Sequence, residues 1–290
     1  LDADLIENTD WKFAESSTDV DLTTSPQSFA SVSITPAIAT NWLVLASMQG
    51  GTTTLSVSQQ ARLVRSGEAA SSEPETIMEA EDAANDLLQH ALMRAFGLTA
   101  VSNTFTVEAL LSGAGAAGDS HLHSAIFILN LNKFRNHIRQ FILGTIDLAD
   151  TDFATNNISE ATITPDVAGD VWGCHLWITN TNASATQTFK SRLQVNNVDQ
   201  PGTQTSSAYA QADPWDARDQ LAVVMQTVEN VPAADRTFAV DASVSASQTG
   251  RGARQRAIFA VTMELAAAAE TRPPRPILVP ETRIHPAWFD

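Results

Sequence analysis

The sequence predicts an all-β protein made of two tandem antiparallel β-sandwiches, jelly-roll-like, with an extended arm at each end. Three observations predict it: an internal repeat about half the chain long, period-two alternation of apolar and polar residues within each copy, and turn residues where the alternation stops. The 290 residues suit about two domains, and the 43% apolar fraction can fill a core in each.

The repeat decides the organisation. Ser33-Ile34-Thr35-Pro36 matches Thr162-Ile163-Thr164-Pro165, and Trp42-Leu43-Val44 matches the run that begins Val171-Trp172. Arg62-Leu63 matches Arg192-Leu193, Thr104-Phe105-Thr106-Val107 matches Thr237-Phe238-Ala239-Val240, and Ala125-Ile126-Phe127 matches Ala257-Ile258-Phe259. The five matches keep their order at offsets of 129 to 133 residues. That period is far longer than a solenoid unit, so it reads as duplicated domains. The expected layout is an N-terminal arm over 1–12, a first sandwich over 13–138, a second over 139–266 and a Pro-rich arm over 267–290.

Taken in order, Phe29 to Ile34 alternates and stops at Thr35-Pro36, a strand ending in a turn. Asn41 to Met48 is an apolar run suited to a buried strand. Thr53 to Leu63 alternates Thr, Ser and Gln with Leu55, Val57 and Ala61. Phe105, Val107 and Ala109 share one face; a Gly/Ala/Ser loop over Ser112 to Gly118 comes next, then the apolar strand Leu122 to Leu131. The second unit repeats the scheme with Ala161 to Ile163, Trp172 to Ile178, Thr186 to Val195, Thr237 to Val244 and Ala257 to Leu265. Glu75 to Phe96 taken alone reads as helix, because Ile77, Leu87, Leu88, Ala91 and Leu92 fall near helical spacing. Its counterpart, Ala217 to Val228, reads as strand, so Asp86 to Phe96 is expected to be strand, with a helical turn left open over Glu75 to Ala84. The Phe134 to Phe141 link lacks Gly and Pro and is expected to be ordered.

Charge and cysteine count narrow the function. Three Lys and 14 Arg stand against 33 acids, a net charge of -16. No cationic face is available for phosphate neutralisation, so nucleic acid is not an expected partner. No run reaches the roughly 18 apolar residues of a membrane helix, and Leu1-Asp2-Ala3-Asp4 does not read as a signal peptide. Cys174 is the single cysteine, so neither an intrachain disulfide nor a thiolate metal site is expected.

No chemical motif stands out. His121 and His123, at i and i+2, would share a strand face and could meet a metal with nearby Asp119. Two imidazoles are not a site, and the pair reads as polar residues at a loop-to-strand junction, matched by Arg254 and Arg256. Gly113 to Gly118 satisfies G-x-G-x-x-G but sits between antiparallel strands, where it is a hairpin loop rather than a phosphate cradle. Glu73, Glu75, Glu79, Glu81 and Asp82 fit no calcium loop and read as a solvated acidic segment. Trp42 and Trp172, repeat-matched, read as core anchors. Trp177, Tyr209 and Trp215 have no partner in the first unit and could stack on sugar rings, although packing is the commoner use of such side chains. In the C-terminal arm Pro273, Pro274, Ile277, Leu278, Val279, Ile284, Trp288 and Phe289 cannot join a central ladder and form a candidate interface with a neighbouring domain or subunit. No catalytic, cofactor or metal residue is assigned.

Trp11-Lys-Phe13-Ala-Glu15-Ser-Ser-Thr18, the strand ending Ile34-Thr35-Pro36, and Asn41-Trp-Leu-Val-Leu-Ala-Ser47 together resemble the opening of β-sandwich structural proteins of tailed-phage virions. In that family an aromatic-rich start precedes an alternating strand, a Pro turn and a "G-[DN]-[YW]-[LV]-[IV]-[LI]-A" strand. Thr104 to Leu111 and Ser124 to Leu131 resemble its closing hairpin. The resemblance spans both units and neither arm. It implies a non-enzymatic virion protein, as capsid decoration or as a head or tail accessory subunit. Its partners would be other virion proteins and copies of itself, often as a trimer in such assemblies, with no cofactor. The alternative is a glycan- or receptor-binding module of a fibre or turret. An enzyme would need paired carboxylates on facing strands, to which nothing in the sequence points.

Overall fold

The computed structural model describes residues 5–54, 57–67, 75–79, 86–148, 153, 157–181, 187–200, 205–209, 221–244 and 251–266. Alternation governs the first half. In β3 (Gln27–Ile34) Ala30, Val32 and Ile34 are buried while Ser31 and Ser33 are exposed, and in β8 (Asn103–Leu111) every odd residue from Asn103 to Leu111 is buried. The other strands of this half are β1 (Trp11–Ser16), β2 (Val20–Asp21), β4 (Thr40–Thr52), β5 (Ser58–Arg65), β6 (Glu75–Glu79), β7 (Asp86–Leu98) and β9 (Ser120–Asn130). They form two antiparallel sheets, ordered β1-β9-β4-β7 with β2 beside β9, and β3-β8-β5-β6. Trp42, Val44, Phe96, Ile126 and Ile128 from the first sheet meet Val32, Leu63, Phe105 and Val107 from the second in one core. Eight strands in these two orders make a jelly roll, two interlocked Greek keys.

The second half comprises β10 (His137–Asp147), β11 (Asn157–Ile163), β12 (Gly169–Thr181), β13 (Gln187–Val195), β14 (Val198–Asp199), β15 (Thr205–Tyr209), β16 (Leu221–Val231), β17 (Arg236–Val244) and β18 (Arg251–Thr262). Its sheets run β10-β18-β12-β16 and β11-β17-β13, with β14 and β15 both paired to β13. Replacing each strand of the first half by its successor in the second reproduces the same order: β1, β4, β7 and β9 become β10, β12, β16 and β18. Its core holds Val171, Leu193, Phe238, Val240, Ile258 and Ala260. Gly173 lets β12 lie close to Phe238, whose ring carbon would be 3.1 Å from a β-carbon at this position.

The matched segments occupy matching places. Ser33 and Thr104 face each other across β3 and β8 with hydroxyls 2.7 Å apart, and Thr162 and Thr237 do so across β11 and β17 at 2.9 Å. Between the halves, a 3-10 turn over Leu131–Lys133 leads into β10.

One reading left open is settled and one expectation is corrected. Glu75–Glu79 is strand β6, paired with β5, not a helical turn; cross-strand pairing overrides the local helix preference of Glu and Met. Asp86 to Phe96 is strand, as expected. Trp172 is not the counterpart of Trp42. Offsetting β4 by 129 residues onto β12 matches Trp42 with Val171, both in sandwich cores, and Leu43 with Trp172, both on the outer face.

Candidate functional site

The long strands β4, β7, β9, β12 and β18 are apolar on both faces. Their inner faces fill the two sandwich cores, so their outer faces need another cover. The outer face of β1-β9-β4-β7 packs on the outer face of β10-β18-β12-β16. Leu43, Met93, Ala95 and Leu129 from the first sheet join Cys174, Ala257, Phe259 and Val261 from the second in a third apolar cluster. The molecule is therefore a four-layer stack whose middle two sheets share an apolar seam. The Cys174 thiol lies 3.6 Å from the Met93 sulfur, and the Trp172 and Phe259 rings meet edge to face at 4.9 Å. Leu5 is buried in the same cluster. Polar groups close the rim: Arg139 donates to the Ala95 carbonyl at 2.8 Å and to Asn41 Oδ1 at 3.3 Å, and the Asn41 amide lies 3.3 Å from His137 Nε2.

Where the seam opens, a cavity of about 230 Å³ is lined by Phe13, Leu45, Met93, Ala125, Phe127 and Cys174 among others. Phe13 is 48% exposed there although its neighbours on the sheet are apolar. A second cavity, of about 390 Å³, lies at the loop end of the first sandwich between Asp10, Pro36, Ile38, Trp42 and Lys133. Asp10 is fully buried; its carboxylate pairs with Lys133 at 3.0 Å and accepts the Ile6 N–H at 3.0 Å.

His121 and His123 do not share a face. The β4–β9 register pairs Gln49 with His123 and Gly50 with His121, so one residue of β9 bulges out between them. The bulge turns His121 inward, where it stacks on Phe29 at 3.7 Å and its Nδ1 lies 2.8 Å from the Thr18 carbonyl. His123 stays outward, 3.8 Å from Glu15. Burial pushes the His121 pKa down, with the Thr18 carbonyl opposing. The same bulge recurs in the second half, where Ile178 pairs with Gln255 and Thr179 with Ala253. The structural counterparts of His121 and His123 are thus Ala253 and Gln255, not Arg254 and Arg256. Asp119 is not a ligand either. Its carboxylate accepts from the Thr53, Thr54 and Ala116 N–H groups at 2.6, 3.1 and 2.6 Å and from the Thr54 hydroxyl at 2.6 Å. Burial alone would raise its pKa; these hydrogen bonds outweigh burial and bring it down to about 2. Among the described residues no three His, Cys, Asp or Glu side chains gather as a metal site requires.

Trp177 is placed by backbone register, opposite Ala222 and Arg256, and Tyr209 opposite Gln187. Trp215 and the arm residues Pro273, Pro274, Ile277, Leu278, Val279, Ile284, Trp288 and Phe289 lie outside the described residues, as do Glu73, Glu81 and Asp82. The sequence reading passed over His175 and put Arg256 on a polar sheet face, whereas both basic residues face the core of the second sandwich. The available signal was His175 inside the apolar run Trp172 to Ile178.

Comparison with protein-family models gives no match, and no curated protein matches the chain. Solved structures of similar outline are remote. PNGF-II aligns over 89% of this chain and 66% of its own, at 8% identity and a TM-score of 0.33. The stem and receptor binding domain of the spike protein P1 from bacteriophage PM2 aligns over 86% of this chain and 96% of its own, at 8% identity and 0.25. The T13 particle structure of infectious bursal disease virus aligns over 87% of this chain and 69% of its own, at 9% identity and 0.30. The chain thus spans about two thirds of the length of the first of these.

Proposed function

We propose that the chain is a non-enzymatic structural subunit of a virion, a capsid decoration or head or tail accessory protein that assembles by protein–protein contacts. The observation that carries this reading is the seam. Two jelly rolls of one connectivity are fixed face to face by a buried apolar cluster, and an apolar cavity beside the exposed Phe13 ring remains open at its edge. A stack locked in this way is a rigid block, and an open apolar site on a rigid block is suited to receiving a neighbour. The resemblance of Trp11 to Thr18, Ile34 to Pro36 and Asn41 to Ser47 to tailed-phage structural proteins gives the kind of assembly. The two halves are read as copies of one unit, supported by their common strand order and the recurring β-bulge. The apolar residues of the arm, from Ile277 to Phe289, would supply contacts between subunits.

Sedimentation of the purified chain and cryo-electron microscopy of particles carrying it test the proposal. Expected are a homo-oligomer in solution and ordered density for the four-layer block on capsid or tail. A monomer that binds neither capsids nor tails sinks it.

A further inference from the structure

Two basic side chains inside the second sandwich have no partner among the described residues. His175 lies opposite Ile258 in the β12–β18 ladder, and Ile258 belongs to the core, so His175 faces the interior. Arg256 is two residues along β18 from Ile258 and shares its face. The two are diagonal cross-strand neighbours, a relation that puts β-carbons roughly 7–8 Å apart and within reach of long side chains. His175 is completely buried and Arg256 is 7% exposed. Neither ring nitrogen of His175 has a hydrogen-bond partner, nor do Nε and Nη1 of Arg256.

This arrangement belongs to the second sandwich alone. The corresponding residues of the first are Ala46, opposite Ile126, and Ser124, whose hydroxyl accepts the Ala30 N–H at 3.2 Å. No described buried carboxylate is free to neutralise Arg256. The buried carboxylates among the described residues are Asp10, Asp119 and Asp241, and each is already engaged, by Lys133, by the Thr52 to Thr54 segment and by Arg192 respectively. A guanidinium stays protonated in a protein, and a buried charge without a partner is among the costliest arrangements in a fold.

We propose that His175 and Arg256 hold an oxyanion, a carboxylate or a phosphate, inside the second sandwich. The guanidinium offers fixed N–H donors that match the oxygens of such groups. Neutral His175 adds one more N–H donor, and each buried carboxylate among the described residues is engaged elsewhere. The ligand could be a free small anion or the acidic group of a larger molecule such as a sugar acid; the recognition chemistry is the same. This site does not depend on the assembly role and stands or falls separately from it.

Isothermal titration calorimetry of the full chain with inorganic phosphate and with D-glucuronate, in chloride buffer of matched ionic strength, tests the proposal. Saturable binding at one site per chain is expected for at least one probe. Arg256→Gln should weaken it by about tenfold or more and His175→Phe by several-fold, as expected for the loss of a charged and a neutral donor. Binding of phosphate alone marks a small inorganic anion as the occupant, and preference for glucuronate marks an acidic sugar. A folding control reads the same claim: ligand-free Arg256→Met should melt at or above the wild-type temperature, because it removes an unneutralised buried charge. Absence of saturable binding by both probes, binding that survives both substitutions, or a lower Tm for Arg256→Met overturns it.

Discussion

Arg62 on β5 grips Glu108 on β8 with Nη2 2.7 Å and Nε 2.9 Å from one carboxylate oxygen, and Arg192 on β13 grips Asp241 on β17 in the same register. The two bridges differ in burial. Arg62 and Glu108 are 18% and 19% exposed, whereas Asp241 is 4% exposed. Arg192 also binds Asp199 and lies 4.3 Å over the Phe153 ring. Removing Glu108 leaves an arginine that water can reach, so Glu108→Ala should cost about 1 kcal/mol. Asp241→Ala breaks a more buried network and should cost about 3 kcal/mol. Urea unfolding of both variants checks the ranking, and equal costs would contradict it.

The seam should couple the two sandwiches in unfolding. Phe259 is 1% exposed and packs between the middle sheets against Trp172. Phe259→Ala removes a large ring from a filled cluster, a loss of about 3–5 kcal/mol. Phe238→Ala, in the second sandwich core, should cost a similar amount while leaving the seam whole. Differential scanning calorimetry should show one transition for the wild type and for Phe238→Ala. It should show two for Phe259→Ala, because each sandwich keeps its own core. One shared transition in Phe259→Ala would mean that the halves are coupled by something other than this cluster.

Cys174 reports on the same seam. Burial pushes its thiol up to about 12, and thiolate is the reactive form. At pH 8 the native chain should resist iodoacetamide for hours and react fully in guanidinium chloride. In Phe259→Ala the labelling rate should rise by an order of magnitude or more, since local opening then exposes the thiol. Mass spectrometry of the quenched samples distinguishes these results.

What the sequence shows and hides depends on which interactions are local. Strand positions were legible because alternation is a local signal, as in Phe105, Val107 and Ala109. The apolar run Asn41 to Met48 suited a buried strand, and Leu122 to Leu131 a long apolar one. They could not say what covers the outer face, because Met93 meets Cys174 only through packing across 81 residues. The bulge beside His121 was invisible for a related reason. It adds a residue to β9 without any Gly or Pro to mark it, so counting by two along the strand put His121 and His123 on one face. The Ser33–Thr104 and Thr162–Thr237 pairs were present in the repeat as matching residues, but their hydrogen bonds are a property of register. Arg256 was hidden because an arginine ahead of an apolar run reads as the polar edge of a strand, not as a side chain turned into the core.

Asp119 should govern acid stability of the loop it anchors. Its native pKa, about 2, lies below the ordinary aspartate value of 3.8. The depressed value means that the contribution is complete above the unfolded pKa and is lost as pH falls through about 4 to 2. Asp119→Ala leaves the Thr53, Thr54 and Ala116 N–H groups without their acceptor and should cost about 3 kcal/mol at neutral pH. The wild type and the variant should converge in stability near pH 2. A constant gap between them down to that pH would rule out the carboxylate as the source.

Buried histidines should make the protein lose stability well above the carboxylate range. His90, 2% exposed with its Nε2 3.2 Å from Gln59 Oε1, and His175 are both brought down from 6.5 to about 3 by burial. Gly50 makes room for Gln59 here, since a β-carbon would fall 2.0 Å from its amide oxygen. Below pH 6.5 the unfolded chain binds protons that the native imidazoles refuse, so stability present above 6.5 declines as pH falls toward 3. At pH 5 the decline amounts to about 2 kcal/mol per histidine, from 1.36 kcal/mol per unit. Burial shifts His121 and His137 in the same direction. His90→Gln, which retains a polar group beside Gln59, should remove about 2 kcal/mol of the loss between pH 6.5 and 5. Urea midpoints across that range, in phosphate-free buffer, measure it. An unchanged slope would show that His90 titrates normally in the folded protein.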